Sequence, residues 1–237
     1  MIITAAAAET KLKELVSVFL RENAKINLSA FRTEEQCWIG NILDSLAVME
    51  TNVLHNLLPT RNPNLNLSPL KILDLGTGGG FPLLPLALCL PTCSFTGMDA
   101  TGKKIAAVQR IIAALGLKNC AVIEGRSEEL GHDPHLREQF DCVLARAIAP
   151  VNVLLEYCAP FAKVGGSVIL WKSTAIEEEL QQSLLARAEL SCHLKEQHRY
   201  RLPDPFGERM LVVFEKTFRA AEKYPRAVGM AKKHPLI

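Results

Sequence analysis

Apolar positions recur at helical spacing near the start of the chain and in short runs broken by turn formers beyond residue 70. From Glu9 to Glu22, the residues Leu12, Leu15, Val16, Phe19 and Leu20 share one face, which predicts a helix over 9–22. Asn27-Leu28-Ser29-Ala30 interrupts the stripe. Thr33-Glu34-Glu35-Gln36 has the form of a capping box, with Thr33 as the cap and Gln36 reaching back. It predicts a second helix, about 34–56, with Trp38, Ile42, Leu43, Leu46 and Met49 turned inward. Residues 1–58 therefore read as a helical extension. Residues 59–69 are rich in Pro and Asn and read as a linker.

Strand and helix patterns then alternate. Strand 71–75 leads to helix 82–90, strand 94–98 to helix 102–116, and strand 120–124 to a polar loop. Strand 140–144 leads to helix 150–161, and strand 167–171 to helix 174–189. Strands 192–200 and 210–214 close the series with no helix between them. Alternation of this kind predicts an α/β doubly wound, mostly parallel sheet with helices on both faces. A hairpin at the end makes the last strand antiparallel. The expected body is 70–216, and residues 217–237 form a basic C-terminal tail.

The chemistry gathers at the first strand. Lys71-Ile-Leu-Asp74-Leu75 runs into Gly76-Thr-Gly78-Gly79-Gly80-Phe81-Pro82. A strand, a glycine turn and a helix start let backbone approach a ligand, and the helix N-terminus favours an anionic group. The dinucleotide fingerprint Gly-x-Gly-x-x-Gly needs a third glycine where this chain has Phe81, which argues against a nicotinamide dehydrogenase. Asp74 before the turn suits a ligand that carries an amino group beside a carboxylate, as S-adenosylmethionine does. Asp99, at the end of the second strand, is placed to accept ribose hydroxyls. Glu124-Gly125-Arg126-Ser127-Glu128, after the third strand, offers a backbone amide and a side chain for an adenine edge. Arg146, after the fourth strand, brings a full charge to the crevice; the plainer alternative is an ion pair with Asp74 or Glu128, which would still order the site. A seven-stranded sheet with an antiparallel last strand is also the arrangement of class I S-adenosylmethionine methyltransferases, a Rossmann-like fold.

Bulk composition narrows the class. The seven cysteines form no Cys-x-x-Cys pair and read as reduced thiols, with no metal site expected. No apolar stretch reaches membrane-spanning length, and the first residues lack a signal peptide pattern, so a cytoplasmic protein is expected. His132, His135, His193 and His198 lie in polar segments and read as surface residues. No hydrolase set is evident. Residues 216–237 carry a net +5 against −3 for the remainder, which suggests an anionic partner.

These residues resemble the small-subunit ribosomal RNA methyltransferase G family, also called glucose-inhibited division protein B. The resemblance rests on Asn27-Leu-Ser-Ala-Phe-Arg32, Asn41-Ile-Leu-Asp-Ser-Leu46, Asp74-Leu-Gly-Thr-Gly-Gly-Gly-Phe-Pro82, Gly102-Lys-Lys104, Arg126-Ser-Glu-Glu129, Ala145-Arg-Ala147 and Gly207-Glu-Arg209. It implies methyl transfer from S-adenosyl-L-methionine to N7 of a guanine in 16S rRNA, with no general base. It also implies donor binding by Asp74, Gly76, Gly78, Phe81, Asp99, Ala100, Thr101, Ser127, Glu128 and Arg146. Arg146, Asp44 and Lys172 are the expected residues of the active cleft. The partner implied is 16S rRNA or the small ribosomal subunit. A monomer is expected because no helix carries an obvious second apolar face, and no membrane partner is expected. Departures from the family pattern are Leu83 after Phe81-Pro82, Asn41 before Ile-Leu-Asp-Ser, Ala145, and Ser173 after Lys172. Two rivals remain open: a methyltransferase of small molecules or proteins, and a non-catalytic RNA-binding factor.

Overall fold

The computed structural model describes residues 5–52, 68–146 and 149–237, with side chains of the first helix described from Ala8. Most of the expected linker, residues 59–67, and the 53–56 end of the expected second helix lie outside the described residues.

The sheet has seven strands in the order β3-β2-β1-β4-β5-β7-β6. They are β1 (Lys71–Leu75), β2 (Ser94–Asp99), β3 (Cys120–Glu124), β4 (Phe140–Arg146), β5 (Ala162–Lys172), β6 (Cys192–Leu202) and β7 (Gly207–Lys216). β1 to β5 pair in parallel, and β7 inserts antiparallel between β5 and β6. The physical reason is the connection: β6 and β7 are joined by a short turn, and a parallel pair needs a crossover of a dozen or more residues. The alternation that predicted a doubly wound sheet is therefore realised. Several strands are longer than their apolar runs. β5 starts at Ala162, ahead of the Gly165-Gly166 pair that reads as a turn, and its pairing with β4 shifts register there.

Alternate strand residues face opposite layers. Ile72, Cys142, Leu144, Ile169, Leu211 and Val213 face α1 (Ala5–Ile26), the helical run from Glu34, α4 (Leu83–Cys89) and α5 (Gly102–Ala114). Leu73, Val143, Ala145, Val168, Leu170 and Val212 face α7 (Val151–Cys158) and its neighbours. The N-terminal helix belongs to the first layer. Its Phe19 meets Phe81 edge to face at 4.9 Å, and its Glu22 accepts from Arg110 of α5 at 2.6 and 2.9 Å.

Two helices differ from their sequence patterns. The expected helix from residue 34 has its Thr33 capping box, but it comprises α2 (Glu34–Cys37), a π-helical turn over Trp38–Leu43, α3 (Asp44–Leu46) and a 3-10 turn over Ala47–Glu50. It stops at Thr51, whose backbone is extended. The expected helix 174–189 divides at Ser183 into α8 (Glu177–Gln182) and α9 (Leu184–Glu189), with the Ser183 hydroxyl bonded back to the Leu180 carbonyl at 2.8 Å. A remaining short helix follows β3, α6 (Ser127–Leu130), and α10 (Met230–Lys233) lies near the chain's end.

The basic C-terminal segment is docked on the body. Lys216 has no exposed surface; it reaches Glu138 at 3.0 Å and the carbonyls of Ala159 and Ala162 at 2.6 and 3.1 Å. Lys223 pairs with Glu189 at 2.9 Å and Arg226 with Glu156 at 2.6 Å. Much of the positive charge that reads as available to an anionic partner thus faces acids of the same chain. Among the histidines, His198 departs from the surface expectation: it is half-buried and stacked on Tyr200, with ring centroids 6.3 Å apart. All seven cysteines are free thiols. Among the described residues, no helix is long and apolar enough to cross a membrane, and no cluster of His, Cys, Asp and Glu is placed to hold a metal ion.

Removal of the Lys216 ammonium leaves the carbonyls of Ala159 and Ala162 without that donor and leaves Glu138 to the Ala220 amide at 3.2 Å and Arg219 at 3.8 Å. Lys216→Ala is expected to cost about 3 kcal/mol, read as a lower denaturant midpoint at unchanged m-value.

Candidate active site

The turn after β1 is built by its glycines. Gly76, Gly78 and Gly80 have φ of +74°, +56° and +92°, a region in which side chains are strained. The amides of Gly76 and Thr77 bond to the Met98 carbonyl at 2.7 and 2.9 Å, which fastens the turn to β2. Gly79 answers a different demand: a Cβ there would lie 2.9 Å from the Phe19 ring, so α1 can cross only a bare backbone.

Asp99 ends β2 and is aimed by two backbone donors. Its Oδ2 accepts the Gly78 amide at 3.0 Å and its Oδ1 the Thr101 amide at 2.8 Å. Asp74 lies beneath the turn with 1% of its surface exposed. Its Oδ2 accepts the Leu83 amide at 3.2 Å, and its Oδ1 has no hydrogen-bond partner among the described residues. Burial pushes its carboxyl up to about 6, against the pull of its hydrogen bonds and of the Arg146 charge.

Two cavities open at the carboxyl ends of the strands. The first, of about 530 Å³, is lined by the glycine turn, Phe81, Asp99, Ala100, Lys104, the segment Gly125–Glu128, Tyr157, Leu28, Ser29 and Asn41. Gly229 and Lys232 of the C-terminal segment complete its lining. The second, of about 360 Å³, is lined by Phe31, Gly40, Asp44, Trp171, Lys172, Ser173, Glu179, Leu202, Phe206 and Arg209. Arg146 lines both.

Arg146 is held from the helical extension. Its guanidinium donates to Asp44 Oδ2 at 2.8 Å, to Asn41 Oδ1 at 2.9 Å and to the Gly40 carbonyl at 3.3 Å. Asp44 in turn accepts the Tyr200 hydroxyl on Oδ1 at 2.5 Å, and its carbonyl accepts the Trp171 indole N–H at 2.8 Å. The π-helical turn explains the convergence, since its wider winding turns Gly40, Asn41 and Asp44 toward one arginine. Gly40 is bare because a Cβ would lie 2.5 Å from both Phe31 and Phe206, whose rings meet edge to face at 5.5 Å.

The ion pair of Arg146 with Asp74 or Glu128 is thereby corrected to one with Asp44. Glu128 is engaged elsewhere, with the Ser127 hydroxyl and the Gly229 amide, each at 3.1 Å. Of the other sequence-derived candidates, Gly76, Gly78, Phe81, Asp99, Ala100, Ser127 and Glu128 lie around the first cavity. Asp44 and Lys172 lie around the second, where Lys172 is fixed by Glu179 at 2.6 Å and the Ala149 carbonyl at 3.0 Å. Thr101 and Asp74 are not in the lining of either cavity: the Thr101 amide aims Asp99, and Asp74 lies buried beneath the glycine turn. Sequence reasoning missed Asn41, Tyr157, Trp171, Tyr200, Gly229 and Lys232 as parts of the site. Of these, Asn41 sat within a recognised motif and Lys232 within the basic segment Lys232-Lys-His-Pro-Leu236.

A family model described as rRNA small subunit methyltransferase G matches residues 8–202. A curated relative from Carboxydothermus hydrogenoformans, named ribosomal RNA small subunit methyltransferase G, is 37% identical over 231 residues, covering 94% of this chain and 93% of its own. A relative of the same name from Streptococcus pyogenes serotype M1 is 34% identical over 231 residues, with 96% and 92% covered. Among solved structures, a SAM-dependent methyltransferase from Methanosarcina mazei aligns with a TM-score of 0.52 at 14% identity, over 71% of this chain and 99% of its own. The ribosomal protein L11 methylase from Lactobacillus delbrueckii subsp. bulgaricus aligns with a TM-score of 0.51 at 18% identity, over 79% and 81%. These two structures share the fold.

The junction at Arg146 predicts strong coupling. A double-mutant cycle of Arg146→Ala and Asp44→Ala is expected to return about 2 kcal/mol of interaction energy in unfolding experiments; additive losses would show that the contact contributes no stability.

Proposed function

Because the chain belongs to the rRNA small subunit methyltransferase G family, we propose that it transfers a methyl group from S-adenosylmethionine to N7 of a guanine in 16S rRNA of the small ribosomal subunit. The observation that carries the reading is the pair of cavities meeting at one fixed arginine. When bound, S-adenosylmethionine supplies an electrophilic methyl group on a sulfonium sulfur.

The first cavity fits that donor. Its volume of about 530 Å³ lies within the range of small-molecule sites. Asp99 presents an aimed carboxylate to vicinal hydroxyls, and Asp74 holds a buried carboxyl with one unpartnered oxygen, which favours a cationic amino group nearby. Gly76, Gly78, Phe81, Ala100 and Ser127 shape the wall, and Thr101 supports Asp99.

The second cavity fits a base taken out of its stack. Phe31, Trp171 and Phe206 offer apolar surface, and Arg209 offers charge to the backbone that follows the base, while Lys172 is held in the wall by Glu179. Guanine N7 carries a lone pair and no proton, so the chain's task is alignment and exclusion of water. Arg146, pinned by Asp44, Asn41 and Gly40, holds a rigid wall between the two compartments. We read the protein as a cytoplasmic monomer, consistent with its free thiols and a ribosomal acceptor.

The reading is tested by labelled methyl transfer to small subunits from a strain that lacks this activity. Label confined to N7 of one guanine is expected. Binding of donor without transfer to any rRNA would overturn it. Donor affinity should also depend on pH through Asp74. In the free protein this carboxyl is protonated below about 6, and a cationic donor binds the ionised form. Between pH 6 and 5 the ionised fraction drops from about one half to about one eleventh, so calorimetric affinity is expected to fall by about fivefold, and Asp74→Asn should flatten the decline.

A further inference from the structure

Outside the residues matched by the family model, the chain continues across the first cavity. Residues 220–226 are anchored outside its lining. Arg137 donates to the carbonyls of Ala220 and Tyr224 at 2.9 and 2.7 Å, and His132 Nε2 lies 2.8 Å from the Pro225 carbonyl. Arg226 forms a two-pronged pair with Glu156, itself 1% exposed. Beyond Arg226 the chain turns at Gly229, whose φ of +81° points its amide inward onto Glu128 Oε1. Ala231 is buried behind it, and Lys232 reaches the rim of the cavity.

Glu128 is the hinge of the argument. It is buried, and both of its oxygens are bonded to protein: one to the Ser127 hydroxyl and one to Gly229. Tyr157 stands beside it in the same lining; burial and then the Glu128 charge push its phenol up to about 12. A carboxylate so occupied holds other wall elements in place and has little left to offer a ligand.

We infer that residues 217–237 form a strap that completes the donor pocket, with Glu128 as the positioning residue that latches the strap through the Gly229 amide. The inference rests on the donor reading of the first cavity. Because the strap supplies wall that the donor touches, strap docking and donor binding support each other, and the coupling is reciprocal.

The full chain provides the test. Gly229→Pro removes the latching N–H and cannot take a positive φ, while the anchors at residues 220–226 stay intact. Calorimetry with S-adenosylmethionine and tryptic cleavage between Arg226 and Lys233 are the two readouts. Saturating donor is expected to slow cleavage of the wild type several-fold. Gly229→Pro is expected to be cut rapidly with or without donor and to bind it about tenfold more weakly, the effect of one lost charge-assisted hydrogen bond. Equal donor affinity in the two proteins, with cleavage indifferent to donor, overturns the strap. Glu128→Gln keeps an acceptor for Gly229, so most protection should survive. A loss of donor affinity larger than that of Gly229→Pro, with protection unchanged, would make Glu128 a direct donor contact and overturn its latching role. A wild type that binds no donor would instead overturn the methyltransferase reading beneath.

Discussion

The contact between Arg146 and Asp44 is the constraint around which the molecule is arranged. Arg146 ends a central strand, and Asp44 lies in the helical run that precedes the sheet. Their ion pair at 2.8 Å is only partly exposed on either side, so neither charge tolerates loss of the other. Trp171 and Tyr200, from two further strands, close on the same carboxylate residue. One acid in the extension therefore sets the relation between three strands and the helical layer above them. Both cavities inherit their shared wall from that relation.

The glycine turn shows how packing and ligand chemistry divide a single motif. Four glycines lie close together, yet they serve different ends. Gly76, Gly78 and Gly80 provide backbone angles that other residues resist. Gly79 provides clearance for Phe19, which also meets Phe81. The N-terminal helix is thus part of the scaffold of the turn, although it lies outside the strand–helix alternation that defines the fold.

Much of this was legible in the sequence, and the illegible part has a physical pattern. Short apolar runs and helical stripes located the strands and helices because burial demands them locally. Asp74, the glycines and Asp99 were legible because their spacing is fixed by one strand–turn–helix unit. The π-helical turn was not, since it leaves the apolar stripe of an α-helix intact. The break at Ser183 carries no Gly or Pro to announce it. The pairing of Arg146 was missed because its true partner is remote in sequence, and remoteness leaves no periodic trace. The docking of the basic C-terminal segment was hidden for a related reason: lysines and arginines that pair with acids of the same chain look, in sequence, like lysines and arginines that face water.

The separations within the junction also bear on when it can exist. Arg146, Trp171 and Tyr200 meet Asp44 across 102, 127 and 156 residues of chain. Contacts of this span close slowly, because loop-closure entropy must be overcome before they stabilise anything. During synthesis the helical extension and the glycine turn emerge first, but the carboxylate of Asp44 has no tyrosine to meet until residue 200 has left the ribosome. A nascent chain therefore owns the motif long before it owns the pocket.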